Sequence, residues 1–267
     1  MNKTTYVAKQ PDSQGLIHYT DSENQVWQTL YERQIKLIQN RACSAFIEGL
    51  ELIGLNSQKI PQCKEVSIKL NKLTGWEVVP VEALISYKEF FKLLSERKFP
   101  AASFIRIPEE LDYLMEPDIF HEIFGHAPML TNPAFAKFAE QVGKLGVTAD
   151  KADRAMLARL FWFTVEFGLI NTEQGLRIYG AGILSSKGET VYALESATPN
   201  RQKFDLMTLL CTPYRYDEIQ LNYFVINDFN EFYKLIDIDL LSAFATARKM
   251  GMLPNPHTED LSDQRSC

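Results

Sequence analysis

The chain has 267 residues, 46% of them hydrophobic and 23% charged, with 34 acidic against 28 basic side chains and a formal net charge of −6. That length suits one large domain or two small ones, and that apolar fraction can bury a sizeable core. The acidic balance without a basic cluster argues against nucleic acid or an anionic membrane surface as the main partner, and 12% aromatics is not the composition of a disordered chain.

No apolar run approaches the ~18 residues of a membrane span. The longest, residues 160–170, is interrupted by Thr164 and Glu166. The first residues are polar, with no apolar signal core, so export is not expected and a cytoplasmic location is. Cys43, Cys63, Cys211 and Cys267 are far apart and form no CxxC pair, which reads as reduced thiols. With no repeat and no linker, the expectation is a flexible N-terminal segment (1–20), a single catalytic domain (21–254) and a polar C-terminal tail (255–267).

In chain order, Ser22 and Gln25 have capping-box spacing and predict a helix start. Val26, Leu30, Leu37, Ile38, Ala45, Phe46 and Ile53 continue an apolar stripe that Gly54 would end. A second helix is expected over 61–73, a short strand over 76–79, and a helix opened by Ser86 and Glu89. Residues 104–107 look strand-like, and a helix is expected from Glu116. Asn132-Pro133 places a cap before a first-turn proline. A long helix over 149–169, strands near 176–179 and 190–194, a helix over 200–211, a strand over 222–226 and a last helix over 228–250 complete a mainly α chain with short β strands.

Only four histidines occur, and two lie five residues apart in Asp118-Ile119-Phe120-His121-Glu122-Ile123-Phe124-Gly125-His126. Two imidazoles with an acid between them suggest a metal site. At i and i+4 they would stand about 40° apart on an α-helix, but at i and i+5 they stand about 140° apart. To share a metal, the helix between them must be distorted, and Gly125 has the freedom to allow it, with Pro128 ending the regular turn. A third donor is needed, and Glu166 is the best candidate. Its aromatic surroundings predict burial, which a cation would offset; the alternative is an ion pair with Arg159 or Arg106. Asp118, one turn before His121, could hold an imidazole by its second nitrogen or cap the helix.

These residues carry a resemblance. The segment Glu116-Pro117-Asp118 through Ala127-Pro128 is similar to the iron-site signature of the pterin-dependent aromatic amino acid hydroxylases. So are Phe161-Trp162-Phe163-Thr164-Val165-Glu166-Phe167-Gly168 and Tyr179-Gly180-Ala181-Gly182-Ile183-Leu184-Ser185-Ser186, in the family's order and over about residues 70–230. Within the family the chain looks most like the short bacterial phenylalanine hydroxylases, with neither a regulatory domain nor a tetramerisation helix.

The resemblance implies that family's catalytic-domain fold. It implies ferrous iron held by His121, His126 and Glu166, and a tetrahydropterin such as tetrahydrobiopterin. L-phenylalanine and molecular oxygen would be the substrates, and the protein a monomer or homodimer. Glu122 matches a catalytic acid near the pterin that does not bind metal. Arg106 matches the arginine that grips the substrate carboxylate, a task suited to its bidentate fork. Trp162, Phe167, Gly182 and Ser185 match residues lining the amino-acid site, and Ser185 also supports the iron ligands, as Asp118 could. Phe90 and Ile85 fall where the family contacts the pterin ring.

The chain departs from the animal pattern at Leu114-Met115, where a Thr-Pro pair is common, at Pro100 in place of a histidine near the pterin, and at Phe161 in place of a tyrosine. Tryptophan or tyrosine hydroxylation within the family is one alternative. A zinc metallohydrolase, with Glu122 as general base, is the alternative from another reaction class.

Overall fold

The computed structural model describes residues 6–81 and 85–254. The tail expected at 255–267 and the first part of the segment 1–20 therefore lie outside the described residues. From Tyr6 onward that segment lies on the body of the protein. The Tyr6 ring stacks on Phe104 at 4.4 Å, and the Ile17 backbone exchanges hydrogen bonds of 2.8 and 3.0 Å with the Gln62 side chain.

Helix α1 (Asp21–Ile38) is capped by Thr20 rather than Ser22. Thr20 Oγ1 accepts from the Glu23 amide and the Glu23 carboxylate accepts from the Thr20 amide, a reciprocal capping box. The apolar stripe beyond it belongs to two helices, not one. Asn40 takes a left-handed conformation (φ 59°), and Arg41 and Cys43 then exchange backbone hydrogen bonds with Ile178. This bridge stops α1 before α2 (Ser44–Ile53), which Gly54 ends as expected at φ 63°.

Helix α3 (Cys63–Thr74), strand β1 (Glu77–Val81), helix α4 (Tyr87–Ser95) and strand β2 (Lys98–Ala102) follow. The two strands pair in parallel, with Pro100 opposite Val79. The strand expected at 104–107 lies upstream, as β2. Residues 104–107 give their polar backbone groups to the Asp118 region instead: the Phe104 carbonyl accepts from the Ile119 amide and the Arg106 amide donates to Asp118.

Helix α5 (Pro133–Thr148) starts at the Asn132 cap, whose side chain accepts from the Ala134 and Phe135 amides. Helix α6 (Lys151–Phe161) opens the expected long helix. Strands β3 (Leu169–Thr172) and β4 (Gly175–Ile178) form a hairpin, followed by the short helix α7 (Ala181–Leu184). Residues 190–194, expected to be a strand, lie in helix α8 (Lys187–Glu195), because Ser186 caps Glu189 and Thr190 Oγ1 bonds back to the Ser186 carbonyl. The helix expected over 200–211 is strand β5 (Asn200–Lys203) followed by helix α9 (Leu206–Cys211). Strand β6 (Asn222–Ile226) is as expected. The last helix is split into α10 (Asn230–Asp237) and α11 (Leu240–Met250), the second capped by Asp239.

The larger sheet has the order β4-β3-β6-β5. Around it the helices enclose one aromatic-rich core that includes Trp27, Phe46, Phe120, Phe124, Phe135, Phe138 and Phe232. Among the described residues no helix is long and apolar enough to cross a membrane.

Glu140 on α5 shows how surface helices are tied down. Its nearly buried carboxylate meets Lys144 at 2.6 Å, Lys137 at 3.1 Å and Arg97 at 3.2 Å, the last from the turn between α4 and β2. Burial opposes the charge, but these cations outweigh it and lower the carboxyl from 4.5 to about 2. Its stabilising contribution is therefore complete above 4.5 and lost as pH falls toward about 2. Glu140→Gln should cost about 1–2 kcal/mol at neutral pH, a discounted figure because the lysines are solvated. In urea denaturation the gap to the unsubstituted protein should shrink steadily below pH 4.5. A gap that ignores pH would rule out the ion cluster as its source.

Candidate metal centre

The expected distortion is a π-helical turn, His121–His126. A π-helix closes its hydrogen bonds from i to i+5, so residues five apart stand one above the other and both imidazoles face the same way. Gly125 contributes differently from the reading above. Its backbone is not in the left-handed region; a Cβ there would lie 3.1 Å from the Ala181 carbonyl and 3.2 Å from its side chain. The glycine lets α7 lie against the π-turn. A second π-helical turn, Trp162–Glu166, ends α6 and carries the acid. Gly180 holds α7 against that turn as well: a Cβ there would meet the Glu166 carbonyl at 2.4 Å and the Gly168 amide at 2.5 Å.

His121, His126 and Glu166 thereby converge. His126 Nε2 lies 3.1 Å from His121 Nε2 and 3.1 Å from Glu166 Oε1, and His121 Nε2 lies 3.7 Å from Glu166 Oε2. Donors bound side by side at about 2.1 Å sit about 3.0–3.4 Å apart, so this triangle fits one common cation. It is also the donor set of the two-histidine, one-carboxylate iron sites, which keep the opposite face open.

The surrounding shell fixes the first imidazole. Ser185 Oγ donates its one proton to the Ala181 carbonyl at 2.8 Å, so its 2.9 Å contact with His121 Nδ1 must accept the ring N–H. That leaves the Nε2 lone pair for a metal. Burial pushes His121 down to about 4, keeping it neutral at ordinary pH. His126 is held by packing, with the Phe99 ring 4.6 Å away and its Nδ1 buried without a partner among the described residues. Burial resists charge on Glu166, but His126 and His121 outweigh it and hold the carboxyl below its ordinary range, helped by the Gly182 amide. Arg159 bonds the Leu210 carbonyl and Arg106 bonds Asp118, so the ion-pair alternative for Glu166 does not occur.

Glu122 points to the same region, 4.0 Å from His126 Nε2, outside the closest triangle. Burial, then the charges of Glu166 and Asp118, raise its carboxyl well above the ordinary value. Two nearby carboxyls are thus pushed apart, Glu166 toward the anion and Glu122 toward the acid.

Asp118 does not touch an imidazole nitrogen, so that alternative is corrected. It is fully buried, accepts from the His121 amide at 3.1 Å and forms a two-point pair with Arg106 of 2.8 Å to Nε and 2.9 Å to Nη2. The Arg106 amide adds a 3.0 Å bond to the same carboxylate. Arg106 is therefore buried, not a surface residue, and its Nη1 bonds none of the described residues.

On the other side stands an aromatic wall. Trp162 lies 4.6 Å from Phe167 and 4.7 Å from Tyr214, and the Phe167 ring rests on Gly182, where a Cβ would be 2.8 Å from it. Phe90 meets Phe161 edge-on at 5.4 Å, and Phe161 lies 6.4 Å from the His126 ring. Phe90 is thus on the metal side of α4; Ile85 is half-buried just before the Ser86 cap. Phe99, Tyr214 and Gln220, which border this site from distant strands and loops, stand in no motif that marks them in the sequence.

A family profile described as biopterin-dependent aromatic amino acid hydroxylase matches residues 1–261. The phenylalanine-4-hydroxylase of Pseudomonas aeruginosa is 52% identical over 252 residues, 94% of this chain and 96% of that protein. Among solved structures, the cold-active phenylalanine hydroxylase of Colwellia psychrerythraea superposes with a TM-score of 0.93 at 48% identity, covering 94% of this chain and 98% of the other. The Chromobacterium violaceum enzyme, solved with bound oxidised Fe(III), gives a TM-score of 0.87 at 45% identity, covering 92% and 89%. The chain belongs to the biopterin-dependent aromatic amino acid hydroxylases and has the fold of their catalytic domain.

Proposed function

We propose that this protein is a phenylalanine 4-monooxygenase, converting L-phenylalanine to L-tyrosine with molecular oxygen and a tetrahydropterin. The observation that carries the reading is the convergence of His121, His126 and Glu166 in a chain half identical to a bacterial phenylalanine-4-hydroxylase. These three residues would hold ferrous iron. Reduced pterin would supply the two electrons, and iron the site, for the activation of oxygen.

The chain's own residues bind, orient and exclude water. Arg106, already turned by Asp118, offers Nη1 and the free edge of Nη2 to the amino-acid carboxylate. Trp162 and Phe167 wall the ring, with Gly182 leaving room for the tip of the Phe167 ring. Ser185 keeps His121 in its ligating tautomer. Phe90 and Ile85 face the pterin. Glu122, whose carboxyl is pushed well above its ordinary range by burial and its carboxylate neighbours, faces the pterin. The protein acts in the cytoplasm as a monomer or homodimer. Family membership displaces the zinc-hydrolase alternative.

The deciding assay combines anaerobically iron-loaded protein with a synthetic tetrahydropterin, oxygen and phenylalanine, with tyrosine read by chromatography. Parallel reactions with tryptophan and tyrosine rank the rings. Tyrosine formed only with iron and pterin supports the reading; none from folded, iron-loaded protein overturns it. Glu166→Ala should keep less than about a tenth of the bound iron, read by metal analysis. Full occupancy would remove Glu166 from the ligand set. Arg106→Lys keeps a charge beside buried Asp118 but loses the fork, and should raise the KM for phenylalanine about tenfold or more with the KM for pterin little changed. An unchanged KM for phenylalanine would place the carboxylate elsewhere.

A further inference from the structure

The aromatic wall has one polar handle, the Trp162 indole N–H, and it is taken by a single residue. Trp162 Nε1 donates to Gln220 Oε1 at 3.0 Å. Gln220 is buried, and its amide is fully used: Nε2 donates to the Arg215 carbonyl at 2.7 Å and to the Glu218 carbonyl at 2.9 Å. The amide orientation is therefore set by its own loop, and the oxygen can point only at the indole. That same loop supplies Tyr214, which stacks on Trp162 at 4.7 Å and 26°.

The loop is in turn pinned from α8. Buried Glu189 accepts from the Gln220 backbone N–H at 3.1 Å and from the Tyr223 hydroxyl at 2.5 Å. Burial raises the Glu189 carboxyl, as expected for an acid held by the neutral donors Gln220 and Tyr223 with no ion pair among the described residues. A chain of hydrogen bonds thus runs from α8 through Glu189 and Gln220 to the indole beside the metal-ligating turn. Nothing in the metal triangle or the Arg106 clamp needs these two residues.

We infer that Gln220 is a positioning residue for substrate: it fixes the Trp162 indole in the orientation that receives the amino-acid ring, with Glu189 holding Gln220 in place. The inference rests on the assignment of Trp162 to the phenylalanine pocket. Without the acceptor the indole can turn about its side-chain torsions, and the ring is held less often in the reactive pose.

The test uses iron-loaded full-length protein, with phenylalanine affinity measured by calorimetry and tyrosine formed per pterin oxidised measured at turnover. Gln220→Met removes the acceptor at similar volume. It should weaken phenylalanine binding roughly five- to tenfold, the worth of one buried hydrogen bond, and lower the tyrosine yield per pterin, with iron content unchanged. Glu189→Gln, which keeps the oxygen that accepts from the Gln220 backbone amide and the Tyr223 hydroxyl, should leave binding within about twofold of the unsubstituted protein, whereas Glu189→Leu should weaken it. In a Trp162→Phe background, which has no indole N–H, Gln220→Met should add nothing further.

Unchanged affinity in Gln220→Met, or an equal loss in the Trp162→Phe background, would show that Gln220 only braces its loop and would overturn the inference. Should Gln220→Met not fold, the Glu189 pair decides: equal affinity in Glu189→Gln and Glu189→Leu overturns the inference, and weaker binding in Glu189→Leu alone, absent in the Trp162→Phe background, supports it. Unsubstituted protein that holds iron but neither binds nor hydroxylates phenylalanine would overturn the proposed function itself, a result separate from any behaviour of the Gln220 variants.

Discussion

Two imidazoles five residues apart can share a cation only where the helix widens, and much of the molecule near the site serves that widening. A π-helical turn is less favourable than a regular one and persists only where its surroundings hold it. Here α7 lies across both π-turns at once, close enough that a Cβ at Gly125 would be tightly crowded and one at Gly180 would clash with backbone. The same short helix sends the Gly182 amide to Glu166 and, just beyond its end, Ser185 to His121. Packing and coordination are therefore one arrangement. The segment that keeps the turns wide also aims two of the three donors.

The buried Arg106–Asp118 pair joins this arrangement to the proposed recognition of substrate. A buried ion pair gives little net stability, since desolvating both charges costs about as much as their attraction returns. Its value lies in geometry. Asp118 accepts from the His121 amide while gripping Arg106, so the start of the ligand turn and the direction of the guanidinium are set by one carboxylate. An arginine free in solution would lose side-chain entropy on meeting a ligand; this one has already lost it.

How much of this was legible in the sequence depended on how local each feature is. The candidate donors could be read because His121 and His126 sit in one compact motif whose spacing demands a distorted helix, and Glu166 is an acid set inside an aromatic run. The cap at Asn132 and the stop at Gly54 were readable for the same reason. Features decided by distant partners were not. The stripe through Val26 and Ile53 hid a break because its cause, pairing of Arg41 and Cys43 with Ile178, lies far along the chain. Thr190, Val191 and Tyr192 favour strands by propensity, yet Ser186 and Thr190 close a helix around them. Residues 104–107 have strand-like composition, but Asp118 and Ile119 take their backbone bonds. Asp118 itself was undecidable between two roles until the position of Arg106 was known.

The environments of the three tryptophans differ in a way that has a practical consequence. Trp27 and Trp76 are sealed in the core at 0% and 1% exposure, whereas Trp162 is partly open and belongs to the aromatic wall. A water-borne quencher such as acrylamide meets only Trp162. The same indole borders the proposed substrate pocket, so the intrinsic fluorescence of the unlabelled protein would report the filling of that pocket from one residue, over a steady background from two that are sealed from solvent.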